Sequence, residues 1–487
     1  MKVTTTARHP ATANHGSDAP SVRWALGSLA LSMLLSSLGT SIANVGLPTL
    51  AQAFEASFQQ VQWVVLAYLL AITTLIVSVG RLGDLLGRRR LLLSGIALFT
   101  AASALCGLAP TLGWLIGARA LQGLGAAIMM ALTLAFVGQT VPKARTGSAM
   151  GLLGSTSAIG TALGPSLGGM LIAGFGWQAI FLICVPLGLL TWLLAYRHLP
   201  ADPLATQARR PSFDLPGTAL LALTLGAYAL AMTLGRNHFG SLNIALLVVA
   251  AVGAGLFAWV ETKVASPLIQ PAMFRDHLLS ASLVMSTLVT TVLMATLVVG
   301  PFYLALSLGL EPARVGLVLA IGPAVAALAG LPAGRIADRF GAPVMTLAGL
   351  LAIALGCLGL SLLPRTLGVA GYIVPMVILT LGYAVFQTAN NTAVMSEIPA
   401  DRRGVIAGLL NLSRNLGLIT GAAALGAVFV FATTSSDIIT ADPEAVAAGM
   451  HTTFAVALGL IVVALGLATK NRTLAHTRKT CHPSSEQ

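Results

Sequence analysis

The sequence predicts an all-α, polytopic membrane protein with fourteen transmembrane helices. Three observations carry that prediction: fourteen apolar runs long enough to cross a bilayer, a basic bias in alternate loops, and a second half that repeats motifs of the first. Of 487 residues, 56% are hydrophobic and only 9% charged, with a mean hydropathy of +0.88. A soluble domain carries about 25% charged residues, so this chain needs lipid as its solvent.

A helical span takes about 20 mainly apolar residues. In order, the runs lie near 24–47, 61–80, 91–109, 112–138, 148–174, 177–197, 216–235, 241–260, 278–305, 313–334, 342–363, 367–395, 404–432 and 451–469. The first is longer than a signal-peptide core and has no obvious cleavage site before the next element, so it reads as helix 1. The chain then divides into a tail (1–23), six helices (24–197), a linker with an inserted helix pair (198–277), six more helices (278–470) and a second tail (471–487). Pro200, Pro203, Pro211 and Pro216 mark the linker into the inserted pair.

Charge placement tests the helix count. With the N-terminus inside and the loops alternating, 22 of the 27 Lys and Arg fall on the cytoplasmic side. Three fall outside (Arg236, Arg314, Arg365), and Arg119 and Arg414 fall within the membrane. A wrong count scrambles such a bias in the second half. Here it persists, which predicts an inner-membrane protein with both termini cytoplasmic. The net charge of +12 would suggest nucleic acid in a soluble chain. These basic residues sit in short clusters between apolar runs, so no nucleic-acid partner is expected. A monomer is expected.

The chain repeats itself. The turn GRLGDLLG at 80–87 returns as GRIADRFG at 334–341, placing Asp338 254 residues after Asp84. Pro142, Arg145, Gly147, Gly151 and Gly160 return as Pro399, Arg402, Gly404, Gly408 and Gly417, 257 residues on. Repeated halves of one orientation are how many secondary transporters build two bundles around a central site.

Several residues in these helices carry candidate mechanism. Asp84 lies among Arg81, Arg88, Arg89 and Arg90, and Asp338 lies between Arg335 and Arg339. Two such turns can make and break ion pairs as bundles rock, forming a conformational latch; the plainer alternative is a positive-inside anchor. Arg119 sits in an apolar helix, where a charge costs at least about 2.5–3.5 kcal/mol, so it requires a wet cavity or a partner. Gln122 shares its face. Gly160, Gly164 and Gly168 form one smooth stripe that permits close helix approach, beside Pro165, which favours a bend, and Gly169. That stripe serves either as a hinge or as a tight static contact. Arg414 lies near Asn411 and Asn415 on helix 13, while helix 12 offers Gln387, Asn390 and Asn391 and helix 1 offers Asn44. Polar groups are costly in lipid, so these are candidates for a central cavity, although single asparagines also serve as glue between helices.

The charged turn resembles the signature loop between helices 2 and 3 of the major facilitator superfamily. Three stretches narrow the resemblance to its fourteen-helix drug:proton antiporter branch: LGTSIANVGLP at 38–48, ARALQGLGAA at 118–127, and helix 5 from Gly154 through Gly164, Pro165, Gly168 and Gly169, followed by Trp177 and Phe181. The resemblance runs from about Trp24 to Lys470. It implies the major facilitator fold, two six-helix bundles plus the inserted pair. The helix 5 string, associated with antiporters, implies proton-coupled efflux of drugs or small organic metabolites by alternating access. It further implies proton relay at Arg119; among the acids, Asp84, Asp338 and Glu397, all near the cytoplasmic ends of helices, are the candidate proton carriers. The implied partners are a small-molecule substrate, protons and the bilayer, without cofactor or metal. An importer or symporter of a small organic anion would share this fold and stays open.

One departure bears on substrate. The branch commonly carries an acid in helix 1 where this chain has Gly39, and all fifteen acids here fall in loops, tails or helix ends. Neutral or anionic substrates are therefore expected, with lipophilic cations exported poorly. The resemblance implies that this position faces the cavity, so Gly39→Asp is expected to raise efflux of a cationic dye, provided the glycine is not needed for helix contact. Other classes find no support. None of the five lysines follows a glycine, so there is no Walker-type loop. The eight histidines lie in loops, tails or helix ends, and no catalytic cluster marks an enzyme. Cys106, Cys184, Cys357 and Cys481 have no disulfide or metal spacing.

Overall fold

Fourteen helical rods account for the apolar runs in a computed structural model that describes residues 19–140, 146–200, 215–234, 240–263, 276–396, 403–433, 438 and 440–481. They are α1 (Ala19–Val45), α2 (Phe58–Leu86), α3 (Arg88–Gly107), α4 (Leu112–Thr140), α5 (Thr146–Phe175) and α6 (Ala179–His198). The inserted pair is α7 (Leu215–Thr233) and α8 (Ser241–Lys263). Next come α9 (His277–Phe302), α10 (Pro312–Phe340), α11 (Ala342–Leu362) and α12 (Gly368–Ser396). The thirteenth, α13, runs from Arg403–Thr420 through a π turn (Gly421–Leu425) into Gly426–Thr433, and α14 spans Pro443–Cys481. Among the described residues thirteen helices are long and apolar enough to cross a bilayer. The fourteenth is α5, in which Ile159–Phe175 is a shorter apolar stretch among the described residues.

Local chemistry sets the helix ends. A capping box opens α2: the Ser57 hydroxyl accepts the Gln60 N–H at 3.4 Å, and Gln60 Oε1 accepts the Ser57 N–H at 2.8 Å. Asp276 caps α9 by accepting the Leu278 N–H at 2.9 Å. The sequence repeat is also present in the backbone. Gly87 between α2 and α3 has φ 90°, and Gly341 between α10 and α11 has φ 82°. Both values lie where a side chain is strained, so each copy of the turn needs its glycine.

Equivalent pairs recur in the two halves. In the first, α1 crosses α5 where a Cβ at Gly160 would lie 2.5 Å from Leu34 O and one at Gly168 would lie 2.8 Å from Val45 Cγ1. In the second, α13 lies equally close to α9, with Gly417 and Gly421 directly over the Thr287 and Thr291 carbonyls. The glycine stripe is thus a helix contact in both halves, a close approach that small residues allow. The inserted pair packs at the edge. The Trp63 indole N–H on α2 donates to Thr233 Oγ1 on α7 at 3.0 Å, and α8 leaves Ile244, Val248, Val249 and Val252 exposed for lipid.

The halves meet firmly at the end opposite the Gly87 and Gly341 turns. There α5 touches α10: a Cβ at Gly169 would lie 2.5 Å from Pro312 O and 3.0 Å from Gly316 Cα. Phe58 at the start of α2 stacks edge-on against Phe302 at 4.8 Å and tilts against Phe429 at 5.4 Å. The Gln62 amide donates to Ala422 O in the π turn of α13. These contacts form a clasp across the seam.

Candidate functional site

A cavity of about 330 Å³ lies between the halves, next to the clasp on its turn side. Residues from eight helices build it. Ser37, Thr40, Ser41 and Asn44 of α1 line one wall, at the i, i+3, i+4, i+7 spacing of a single helix face. Ser37 Oγ hydrogen-bonds Ser157 Oγ of α5 at 2.7 Å, joining α1 to the next wall. The other half contributes Gln387 and Thr388 of α12 and Arg414 and Asn415 of α13. Much of the remaining surface is apolar, including Leu69, Met130, Met294, Met376 and Leu418.

Arg414 is the only charged residue among the described residues of this lining. No described side chain or carbonyl hydrogen-bonds its guanidinium. Two lining amides are also under-satisfied. Asn44 donates to Thr40 O at 3.3 Å, but its Oδ1 has no partner, and Gln387 Oε1 has none. A cavity that, among the described residues, holds one cation without a partner and buried, unbonded acceptors is built to be completed by something polar.

The other intramembrane arginine is arranged in the opposite way. Arg119 of α4 is fully buried inside the first half and is absent from the cavity lining. Its Nε donates to Val64 O at 2.8 Å, and one Nη donates to Gly39 O at 3.0 Å and to Gln122 Oε1 at 2.5 Å. Gln122 Nε2 passes the chain on to Ser103 Oγ at 2.7 Å. The guanidinium lies over the Tyr68 ring, 4.1 Å from its centroid, with Phe181 at 5.9 Å, distances at which a cation is attracted to a ring face. One residue thereby ties α4 to α1, α2 and the rings of two helices.

The family model of the Major Facilitator Superfamily matches residues 29–422. The chain belongs to that superfamily. It is a multi-pass membrane transporter and not an enzyme. It is 31% identical over 401 residues to the riboflavin transporter RibZ of Clostridioides difficile, covering 82% of this chain and 87% of the relative. It is 33% identical over 414 residues to the multidrug efflux pump LfrA of Mycolicibacterium smegmatis, covering 84% and 81%. Among solved structures, a bacterial homologue of the human lysosomal transporter Spinster, in an inward-facing conformation, superposes with a TM-score of 0.68. Its sequence identity is 15%, and the match covers 93% of this chain and 97% of that one.

Within this superfamily fold, the residues singled out by sequence separate clearly. Asn44, Gln387, Arg414 and Asn415 line the cavity together. Gln122 does not: it faces the bundle interior because Arg119 and Ser103 hold its amide. Asn390 is also withdrawn, donating to Ser282 O of α9 at 3.3 Å as helix glue, and Asn391 and Asn411 stand outside the lining. Gly39 needs a correction. Its missing Cβ would lie 2.9 Å from the Tyr68 hydroxyl and 3.2 Å from Phe99, so position 39 faces the bundle interior rather than the cavity. One helical step of about 100° separates it from Thr40, which does line the cavity.

The glycine string divides as well. Gly160, Gly164 and Gly168 pack on α1, whereas Gly169 and the Pro165 carbonyl meet α10 at the clasp. The side chains of Arg81, Asp84, Arg335 and Asp338, and the whole of Glu397, lie outside the described residues. Of the turn arginines, Arg89 donates to Tyr196 O and lies 5.4 Å over the Tyr196 ring, tying the first turn to α6. Arg88 begins α3, and Arg339 lies 5.6 Å over Phe340. Sequence reasoning missed Ser157, Thr161, Tyr383 and Thr388 in the lining. Hydroxyls in helices normally bond the preceding turn, as Thr388 does to Ala384 O at 2.8 Å, so their residue type gives no sign of a cavity.

Proposed function

We propose that this chain is a secondary active exporter of small organic molecules, driven by proton entry and working by alternating access. One observation carries the reading: a central cavity is shared by two duplicated halves that are clasped on one side of it. The moving bodies are residues 24–197 and 278–470, and the inserted pair rides at their edge. With the charged turns on the cytoplasmic face, the clasp closes the outer end, so this geometry is the loading state for a cytoplasmic substrate. Opening the Gly169–Gly316 contact and closing the turn end would present the same cavity outward. Asp84 and Asp338, in equivalent turns of the sequence, would latch that second state.

Export rather than uptake is supported by the antiporter-type string of α5 and by the likeness to an efflux pump. The likeness to a riboflavin transporter supports an organic substrate of modest size. In everted membrane vesicles energised by respiration, compounds from a panel of antibiotics, dyes and flavins are offered one at a time. A transported compound accumulates inside the vesicles, and a protonophore abolishes its accumulation. Accumulation by intact cells in place of everted vesicles, or accumulation indifferent to the protonophore, would sink the reading.

A further inference from the structure

We infer that the central cavity selects organic monoanions, with Arg414 receiving the acid group of an amphipathic carboxylic acid. The inference rests on the cavity being the transport site, and it names the chemistry that site takes.

The first support is electrostatic. Arg414 stands near the middle of the α13 rod, which runs from Arg403 to Thr433. A charge at that depth is costly and is found paired or facing a wet cavity. Arg119 is held by two carbonyls, an amide and a ring face, with its second Nη left without a partner. Arg414 has no such partner among the described residues, and no carboxylate stands in the described lining to neutralise it. A cationic guest therefore meets an uncompensated like charge. A dianion leaves one of its own charges uncompensated. A monoanion cancels the site, and a planar carboxylate fits the guanidinium fork through two parallel hydrogen bonds.

The rest of the lining describes the rest of the guest. Asn44 Oδ1 and Gln387 Oε1 are buried acceptors without donors, so a hydroxyl or N–H on the guest would satisfy them. Asn44 belongs to the first half while Arg414 belongs to the second, so such a guest bridges the two moving bodies. Between those groups lie Leu69, Met294, Met376 and Leu418, an apolar surface in which methionines adapt to differing ring shapes. The volume of about 330 Å³ stands at the low end of the roughly 300–1,000 Å³ of small-molecule sites. That suits an acid of one or two rings.

The test uses three probes with one bicyclic body: 2-naphthoate, 2-naphthalenemethanol and 2-naphthylmethylammonium. Binding to the purified full chain is measured by calorimetry at neutral pH. Naphthoate is expected to bind about tenfold tighter than the alcohol, with the ammonium compound weakest. In Arg414→Gln the anion-to-alcohol ratio falls to about one. Arg414→Lys keeps the charge but lacks the planar fork, so its ratio falls severalfold and stays above one. If Arg414→Gln does not fold, the Lys variant carries the comparison. The inference is overturned by equal binding of anion and alcohol in the unmodified protein, by no binding of any probe, or by a preference that survives Arg414→Gln. Binding is read without a gradient or a membrane side, so failure of proton coupling or of outward direction leaves this result untouched. An exporter without anion preference would overturn this inference alone.

Discussion

Arg119→Lys separates two roles that one buried arginine can hold. In the structure the guanidinium makes three hydrogen bonds, to Val64 O at 2.8 Å, Gly39 O at 3.0 Å and Gln122 Oε1 at 2.5 Å. A lysine has no donor at the Nε position and no fork, so it can keep one of these and leaves at least one carbonyl of α1 or α2 without its donor. An unsatisfied buried acceptor costs about 1–3 kcal/mol, and the weakened ring contact adds about 0.5–2 kcal/mol, giving roughly 1.5–5 kcal/mol in all. The measurement is the thermal unfolding midpoint of the purified protein in one detergent, beside transport per folded molecule across a range of pH. A tie role predicts a midpoint lowered by several degrees, with per-molecule transport and its pH profile nearly unchanged. A coupling role, implied by the family resemblance, predicts the reverse. An unchanged midpoint would refute the energetic argument, because it would mean that the three bonds contribute nothing the ammonium cannot supply.

Three further outcomes follow from the same coordinates. Gly39→Asp leaves ethidium efflux at the unmodified level and lowers membrane abundance, because its Cβ would press on Tyr68 and Phe99 and its carboxylate would meet Arg119 rather than the cavity; a rise in ethidium efflux at matched expression would return position 39 to the cavity. Gly169→Leu blocks the approach of α5 to α10 at Pro312 and Gly316, so transport falls at least tenfold while membrane abundance holds; normal transport would show that the clasp can loosen without consequence. Asp84→Ala abolishes most transport at near-normal abundance, and Asp338→Ala is milder because its turn holds two arginines where the first holds four; near-normal transport in Asp84→Ala would make that turn an anchor.

Much of the fold was legible because lipid imposes a simple rule. Spans must be long and apolar, and thirteen of the helices meet that rule plainly. The duplicated turn was legible for a different reason: a glycine at φ 90° or 82° has few substitutes, so both copies keep it. The candidate site was harder to read. Asn44, Gln387, Arg414 and Asn415 were found by the rule that polar groups in lipid need a reason. That rule cannot say whether the reason is a cavity or a neighbouring helix, and so it also selected Gln122 and Asn390, which bond inside their own halves.

The two arginines show where the missing information lies. Both are arginines in apolar helices, and both have polar residues within a turn. Their difference is made by other segments. Arg119 is held by the carbonyls of Gly39 and Val64 and by the faces of Tyr68 and Phe181, groups whose sequence identity says little about their availability. Backbone carbonyls are free to accept a further bond wherever a side chain reaches them, and the absence of a side chain at Gly39 is what leaves room for Tyr68 and Phe99 beside that carbonyl. The helix 1 glycine that sequence comparison marks as a missing acid is therefore part of the arrangement that holds Arg119 without one. Its consequence for function is separable: Arg119 stays locked in the first half, and among the described residues the charge that lines the cavity is the one on α13, in the second.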